Sequence, residues 1–494
     1  MAMRVFITGA TGLVGRALTL RLRRDGHTVV AWSRSEDRVV QRLGGEAKAA
    51  SGGPEEMREA IDGCDAVVTL AGEPILPGRW SARRKAAIRW SRVDLNQAVV
   101  KAALSAKRPP AVIVAGSAVG FYGHTGEREV SEEDRAGDGY LAELNQDWEA
   151  VFKPAEAAGV RVVWGRIGIV LAADGGALES LVKIAQTGTL GPIGSGKQGV
   201  PWIHIDDLVD AFVLTLTNPN ASGPFNFVGP TSSTQREFAS AIGATLHRPA
   251  FLPVPSVVMR LMLGEAACVL LDGQFVRPER LRGLGFVHRF ATLSEALTNI
   301  LSSQGPTVEP LRVLPQTNEG SAYLRRAEPT HVLKSARVVP CSPEDVWTFF
   351  SDARNLANLS PLNAGMTMGE APDVVRQGSR FCHHLSLGPA KLAWDGEIIA
   401  CEPGVRFVDI QHRGPFRTWW HEHGLEPVTL DDGRTGTRLT DRVLFRSPLG
   451  LIGRVVTWAY VGPQLLALFA FRDRALGRRF GLVTQPSSTG TYTS

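Results

Sequence analysis

The chain has 494 residues, with 54 Lys and Arg against 49 Asp and Glu, a formal net charge of +5. That charge comes without a run of like charges or a basic stripe, so a nucleic-acid partner is not expected and anionic small ligands stay open. Apolar residues make up 44% and charged residues 21%, with 52 Gly and 30 Pro, which excludes a collagenous, coiled-coil or wholly disordered chain.

At roughly 150 residues per domain the length implies about three structural units. Five widely spaced cysteines with no C-x-x-C indicate neither a disulfide framework nor a zinc ribbon, and suggest a reducing compartment. A strand-like run begins at Arg4, which leaves no room for a secretory leader after Met1. The uncharged apolar stretch Val455 to Phe471 is interrupted by Pro463 and Gln464 and closed by Arg454 and Arg472, so no membrane span is expected. A cytoplasmic location follows as the expectation.

In chain order, short β-branched runs at Val5–Thr8, Thr28–Ser33, Ala66–Leu70, Val112–Ser117 and Val160–Gly165 alternate with helical patterns. Strands separated by helices predict βαβ units and an α/β doubly wound parallel sheet. Residues from about 190 to 300 are irregular and Gly/Pro-rich, with helices predicted at Asp206-Asp207-Leu208 and Arg236–Leu246, and suit a small substrate lobe. Residues 301–330 have linker composition. A second core is expected over 331–480, α+β in pattern: a strand Val332–Val339, a helix entered at Pro343, several strands through Val443 and a long apolar helix ending near Arg479. The Ser/Thr/Gly-rich tail, 481–494, is expected to be disordered.

The run Gly9, Ala10, Thr11, Gly12, Leu13, Val14, Gly15 follows the first strand and opens a helix, the context a dinucleotide fingerprint requires. Glycines let the backbone turn and approach a pyrophosphate, whose charge then meets the free N–H groups of the helix start. After the second strand the chain has Ser33 and Arg34, with Arg38 one turn on. A carboxylate usually stands there in NAD enzymes; a guanidinium pairs with a 2′-phosphate instead, so NADP(H) is expected over NAD(H). The alternative is that Arg34 is a solvated loop charge. Two later patterns, Gly194-x-Gly196-x-x-Gly199 and the near P-loop Gly191 to Lys197, read as turns, because no buried strand precedes them and Gln198 stands where a Mg²⁺-binding hydroxyl is needed.

These residues resemble the extended short-chain dehydrogenase/reductases of the NAD(P)-dependent epimerase type, and within them an atypical, largely uncharacterised epimerase family. The resemblance is carried by Thr8-Gly-Ala-Thr-Gly-Leu-Val-Gly15, Leu70-Ala-Gly-Glu-Pro74, Ser117-Ala-Val-Gly-Phe-Tyr-Gly123, Asp147-Trp-Glu149, Trp202-Ile-His-Ile-Asp-Asp-Leu208 and His247-Arg-Pro-Ala-Phe251. The last opens a segment like that family's C-terminal domain of unknown function. The resemblance spans about residues 1–300 and implies a Rossmann-like fold, a small-molecule substrate such as a carbonyl or sugar nucleotide, and oxidoreductase or epimerase chemistry. It implies that Leu70, Ala71 and Gly72 lie along the adenosine and ribose, and that Ser117 faces the nicotinamide and a substrate oxygen. A turn or cap role for Ser117 is the alternative.

The superfamily's acid/base pair is Tyr-x-x-x-Lys, in which the ammonium lowers the phenol's pKa. Aligned on Glu149, Leu141 stands at the tyrosine position and Asn145 at the lysine position. Tyr140 is one residue off, rotated about 100° around the helix. Candidate replacements are Tyr122, Arg92, Glu149 and His204, the last also readable as a buried histidine tying a strand to a helix through Asp206 or Asp207. Lys197 and Arg166 are candidates for an anionic substrate group. A non-catalytic NADP(H) or metabolite sensor is the rival reading.

Residues 331–480 resemble the START-like, polyketide cyclase/dehydrase (SRPBCC) superfamily of helix-grip folds. The segments concerned are Pro343-Glu-Asp-Val-Trp347, Ser351 through Pro361, Glu402 through Phe407, Gly414 through Trp420 and the terminal helix. That implies a cavity for a hydrophobic ligand, with Trp394, Trp419, Trp420 and Phe407 as lining or plain core. His421 and His423, two apart on a predicted strand, share a face as a metal pair would; with no third ligand at recognisable spacing, no metal site is expected. The oligomeric state is left open.

Overall fold

A computed structural model describes residues 2–481 except 77, 173–174, 187–188, 247, 302–306, 312–313, 315–318, 353–354, 356–358, 360–365, 369–373, 388–389, 431–433, 449, 451–452, 454–456 and 458–460. The tail expected to be disordered lies, from 482 on, outside the described residues. The chain divides into two compact units, one of Met1–Val39 with Ala47–Ser302, the other of Val40–Glu46 with Ser303–Ser494.

The first unit is built on a seven-stranded parallel sheet of β1 (Arg4–Thr8), β2 (Thr28–Trp32), β3 (Lys48–Ala50), β4 (Ala66–Thr69), β5 (Val112–Ala118), β6 (Arg161–Ile167) and β7 (Gly223–Phe227). The spatial order is β7-β6-β5-β4-β1-β2-β3, every pairing parallel. The strands read as nearly unbroken apolar runs because both faces are covered. Phe6, Val67, Ile113 and Val162 face one helical layer, packing with Ile88, Val99, Leu144 and Trp148. At about 1.5–3 kcal/mol for each large side chain fully buried, this layer dominates the unit's stability.

Two strands escape a reading by pattern. Lys48–Ala50 is three residues long and half-exposed. Gly223–Phe227 falls inside the stretch expected to be substrate lobe, yet returns to the sheet beside β6 through the helix Ile205–Thr217. The remainder of that stretch forms short helices and two-stranded pieces. Its glycine runs are turns: Gly194 and Gly196 have positive φ, and Gly199 starts a two-residue strand paired with Ser233–Thr234.

The second unit is an eight-stranded antiparallel sheet: β8 (Thr307–Pro310), β9 (His331–Val339), β10 (Met366–Met368), β11 (Arg380–Leu387), β12 (Ala390–Glu402), β13 (Arg406–Arg413), β14 (Thr418–Thr429) and β15 (Thr435–Arg446), in the order β8-β9-β15-β14-β13-β12-β11-β10. The helix Gly462–Phe480 packs on one face through Leu465 and Phe469, against Leu333, Trp419, Val443 and Phe445. Two features correct the expectation. Thr307–Pro310 pairs with β9, and Ser321–Arg326 presents Leu324 to the sheet's other face, so parts of the expected linker 301–330 belong to this unit. Trp420, adjacent to Trp419, points away from the long helix, buried against Leu324, Val332 and Val408 with its indole N–H on the Glu319 carbonyl. Successive strand residues face opposite sides, so the two tryptophans could not line one cavity.

Candidate functional site

The fingerprint turn leaves the carboxyl end of β1, where the strand order reverses between β1 and β4, the place open α/β sheets reserve for ligands. Gly9 has φ +72°, and a Cβ there would stand 2.6 Å from the Ala71 nitrogen; a Cβ on Gly15 would stand 2.3 Å from the Gly9 oxygen. These two glycines therefore fix the turn against the end of β4 and against the helix. Gly12 differs in degree: its Cβ would meet the Gly9 oxygen at 3.2 Å, a close contact, and no other atom of the described residues within 4 Å. The helix α1 (Leu13–Arg24) starts on Gly12 with no side-chain cap and no acidic residue in its first turn, while Arg21, Arg23 and Arg24 crowd its last. Its free N–H groups and positive dipole end fit a pyrophosphate.

The neighbouring strand ends complete the rim. Ser33 is tied by its N–H to the Ala50 carbonyl at 3.0 Å. Arg34 and Arg38 are exposed, and neither side chain forms an ion pair among the described residues. The Leu70 N–H bonds the Thr8 carbonyl at 3.0 Å and the Ala71 N–H reaches Thr8 Oγ1 at 3.4 Å. Arg92 lies beside Gly72: its guanidinium donates to the Glu73 carbonyl at 2.8 Å and stands 5.3 Å from the Trp148 ring. Burial pulls Arg92 down to about 10. Its contacts make it a positioning residue for the 72–73 turn.

Ser117, near the end of β5, is buried and donates to Glu149 Oε1 at 2.8 Å, with Asn145 Oδ1 at 3.4 Å. Glu149 is gripped by Arg166 through two bonds, Nε to Oε1 at 2.9 Å and Nη2 to Oε2 at 2.8 Å. Arg166 also donates to the Tyr122 hydroxyl at 2.9 Å, and Tyr122 donates to Asn226 Oδ1 at 2.8 Å. Three of the sequence-derived candidates, Ser117, Tyr122 and Glu149, thus share one buried chain with Arg166. That chain uses up the Arg166 guanidinium, whereas Lys197 is exposed. Burial pushes the Tyr122 phenol up to about 12 despite the adjacent guanidinium, so it stays protonated near neutrality, accepting from Arg166 and donating to Asn226.

Helix α2 (Tyr140–Ala150) turns Leu141 and Asn145 toward Gly120, whose Cβ would lie 3.5 Å from the Leu141 Cβ and 3.2 Å from Asn145 Nδ2. Tyr140 points elsewhere, its ring 5.1 Å from that of Trp80 and its hydroxyl on the Lys85 carbonyl at 3.3 Å. His204 is fully buried: Nδ1 accepts from the Asp206 N–H at 3.1 Å, capping the next helix, and Nε2 meets Asn299 Oδ1 at 3.2 Å. Both ring nitrogens are committed to the fold. The anchoring roles of Asn226 and Glu132, which accepts the Asn226 N–H at 2.9 Å, escaped the sequence reading, since nothing local marks them.

A doubly wound parallel sheet with an uncapped, glycine-opened helix at its switch point defines a dinucleotide-binding type of α/β protein. Residues 5–228 match the model of the NAD dependent epimerase/dehydratase family, and residues 254–300 that of a domain of unknown function, DUF1731. Over 305 residues the chain is 39% identical to the chloroplastic epimerase family protein SDR39U1 homolog of Arabidopsis thaliana, covering 60% of this chain and 87% of that one. It is likewise 39% identical over 297 residues to the epimerase family protein Mb2239 of Mycobacterium bovis, 59% of this chain and 96% of the other. The chain belongs to the NAD dependent epimerase/dehydratase family, in an SDR39U1-like branch with the DUF1731 segment. Among solved structures, human epimerase family protein SDR39U1 (isoform 2), crystallised with NADPH, is 35% identical with a TM-score of 0.55, matching 61% of this chain and 100% of that one. The nucleoside-diphosphate sugar epimerase of Corynebacterium glutamicum is 31% identical with a TM-score of 0.50, over 61% of this chain and 58% of that one. Among the described residues, no helix is long and apolar enough to cross a membrane.

Proposed function

We propose that the first unit binds NADP(H) and is an oxidoreductase of atypical short-chain type, acting on a carbonyl or sugar-nucleotide-like small molecule. The observation that carries the reading is the glycine-opened, uncapped start of α1 beside the unpaired Arg34; the NADPH-bound human relative supports it. Gly9, Ala10, Thr11, Gly12, Leu13, Val14 and Gly15 would cradle the pyrophosphate, Ser33, Arg34 and Arg38 the 2′-phosphate, and Leu70, Ala71 and Gly72 the adenosine side. The cofactor supplies hydride transfer; the chain's own part is to hold it and to polarise the substrate. With Leu141 and Asn145 at the Tyr and Lys positions, Ser117 is the hydroxyl at the sheet's carboxyl edge; its proton rests on Glu149, itself clamped by Arg166, and would turn to a substrate oxygen when one binds.

The second unit, an antiparallel sheet against a long helix, is proposed as a START-like domain for a hydrophobic ligand. Its support is the helix-facing aromatic set Trp394, Phe416, Trp419 and Phe469.

Leu141 and Asn145 favour one rival, a sensor that binds NADP(H) without turning it over. Ser117→Ala separates the two. An oxidoreductase loses at least about tenfold in kcat while its NADPH affinity holds; a wild-type chain that binds NADPH yet oxidises none of it with any carbonyl or sugar-nucleotide substrate is the sensor. Absence of NADPH binding would end both readings.

A further inference from the structure

The second unit buries a cluster of ionisable side chains against its long helix. On the helix-facing side of three adjacent strands, register places Asp409 opposite His421 and His423 opposite Asp441. All four side chains are buried, as is Arg472 on the helix. We propose that Asp409, His421 and His423 form a divalent transition-metal site of zinc type, with Asp441 holding the two imidazoles from behind.

The donor geometry fits such an ion. Asp409 Oδ2 lies 3.5 Å from His421 Nδ1 and 3.3 Å from His423 Nε2, and the three donors lie within 4.8 Å of one another. Zinc bonds of about 2.0–2.2 Å at tetrahedral angles set neighbouring donors about 3.4 Å apart, so two edges of the triangle already have the right length. The backs of the rings are supported as metal-binding histidines usually are, by a carboxylate: Asp441 Oδ1 is 3.0 Å from His421 Nε2 and 2.8 Å from His423 Nδ1.

Charge points the same way. The two carboxylates Asp409 and Asp441 face one guanidinium, Arg472, whose Nη2 is 3.0 Å from His423 Nδ1 and 3.7 Å from Asp441 Oδ1. Asp473 is matched separately, by Arg337 at 3.6 Å and by the Ser335 hydroxyl. Two carboxylates against one guanidinium leave the cluster around the rings an excess of one negative charge, which attracts a cation. With its ring proton on Nδ1 toward Asp441, His423 presents Nε2 to the ion, and His421, with its proton on Nε2 toward Asp441, presents Nδ1; Arg472 then pairs with Asp441.

Three protein donors leave coordination open for water or a ligand oxygen. The surroundings are aromatic: Phe407 stacks on His423 at 4.0 Å, and Phe469 lies 5.5 Å from His421. The site therefore suits an oxygen-bearing apolar ligand, whose oxygen the ion would hold.

The test uses untagged full-length protein stripped with chelator, titrated calorimetrically with Zn²⁺ and, by visible absorption, with Co²⁺. Expected are one ion per chain and the intense visible bands of four-coordinate cobalt. Asp409→Asn and His423→Ala should each weaken binding by more than about 100-fold, and Asp441→Asn by about 10- to 100-fold. Far-ultraviolet circular dichroism checks the fold of each variant. Should all variants misfold, the wild-type cobalt spectrum alone decides. No stoichiometric binding, octahedral cobalt bands, or equal binding by folded variants would overturn the proposal and leave the cluster as a buried ion-pair network.

Discussion

Arg34 concentrates the question of cofactor choice in a single side chain. It is exposed and unpaired, so its contribution comes from the ligand alone and is moderated by solvent. Arg34→Ala should weaken NADPH about tenfold, the equivalent of about 1.4 kcal/mol, and leave NADH nearly unchanged; equal loss of both, in paired fluorescence titrations, would place the 2′-phosphate elsewhere. Asp207 shows what burial does to one carboxyl. It accepts the Arg289 N–H at 2.8 Å, but its Oδ2 has no partner among the described residues, and burial pushes it from 3.8 up to about 6. Below about pH 3.8 both folded and unfolded chains hold the proton. Between there and about 6 only the folded chain keeps it, so stability falls as pH rises through that window and levels off above it. Asp207→Asn removes the cost, on the order of 3 kcal/mol, while its amide oxygen can still accept from Arg289. Urea midpoints should therefore rise over wild type at pH 7 and coincide near pH 4. A gain of equal size at both would mean ionisation is not the cause.

Each element that builds the site does so through a few contacts that its own sequence only partly announces. The turn into α1 combines two glycines required by neighbouring backbone and one less tightly enclosed. Gly9→Ala puts a side chain at a left-handed position against Ala71, and Gly15→Ala drives a methyl into Gly9, so both should lower thermal stability by several degrees. Gly12→Ala, whose methyl would press only on the Gly9 oxygen at 3.2 Å, should lower melting less than either and weaken NADPH at least about tenfold; a Gly12 variant that melts earlier than both but binds normally would reverse this division of roles. In helix α2, Tyr140 packs on Trp80, while Leu141 and Asn145 take the face toward Gly120, as a 100° step per residue requires.

The chain divides into two units of opposite sheet type, one parallel, the other antiparallel with a helix packed on one face. A ligand stabilises only the core that binds it, by about 2.7 kcal/mol at a hundred times its dissociation constant. Calorimetry of the full chain should thus resolve two transitions, with NADPH moving the one that belongs to the first unit. A single transition shifted as a block would instead make the chain one cooperative unit.

Contiguous residues encode the parts that were legible beforehand: the alternation of strands and helices, the glycine turn after β1, Arg34 where an acid is usual, and the missing Tyr and Lys. Each depends on a local period or a fixed spacing, and local geometry is written along the chain. The expected linker failed because β8 is stabilised by β9 across a register that composition does not encode. Only the tertiary structure joined Ser117 to Glu149, 32 residues away, and Glu149 to Arg166 and Tyr122. It alone gave His421 and His423 a third donor, Asp409, 14 residues before His423 and one strand over. Strand register and helix docking place such partners, and both are set by burial across the whole core rather than by any short stretch of sequence.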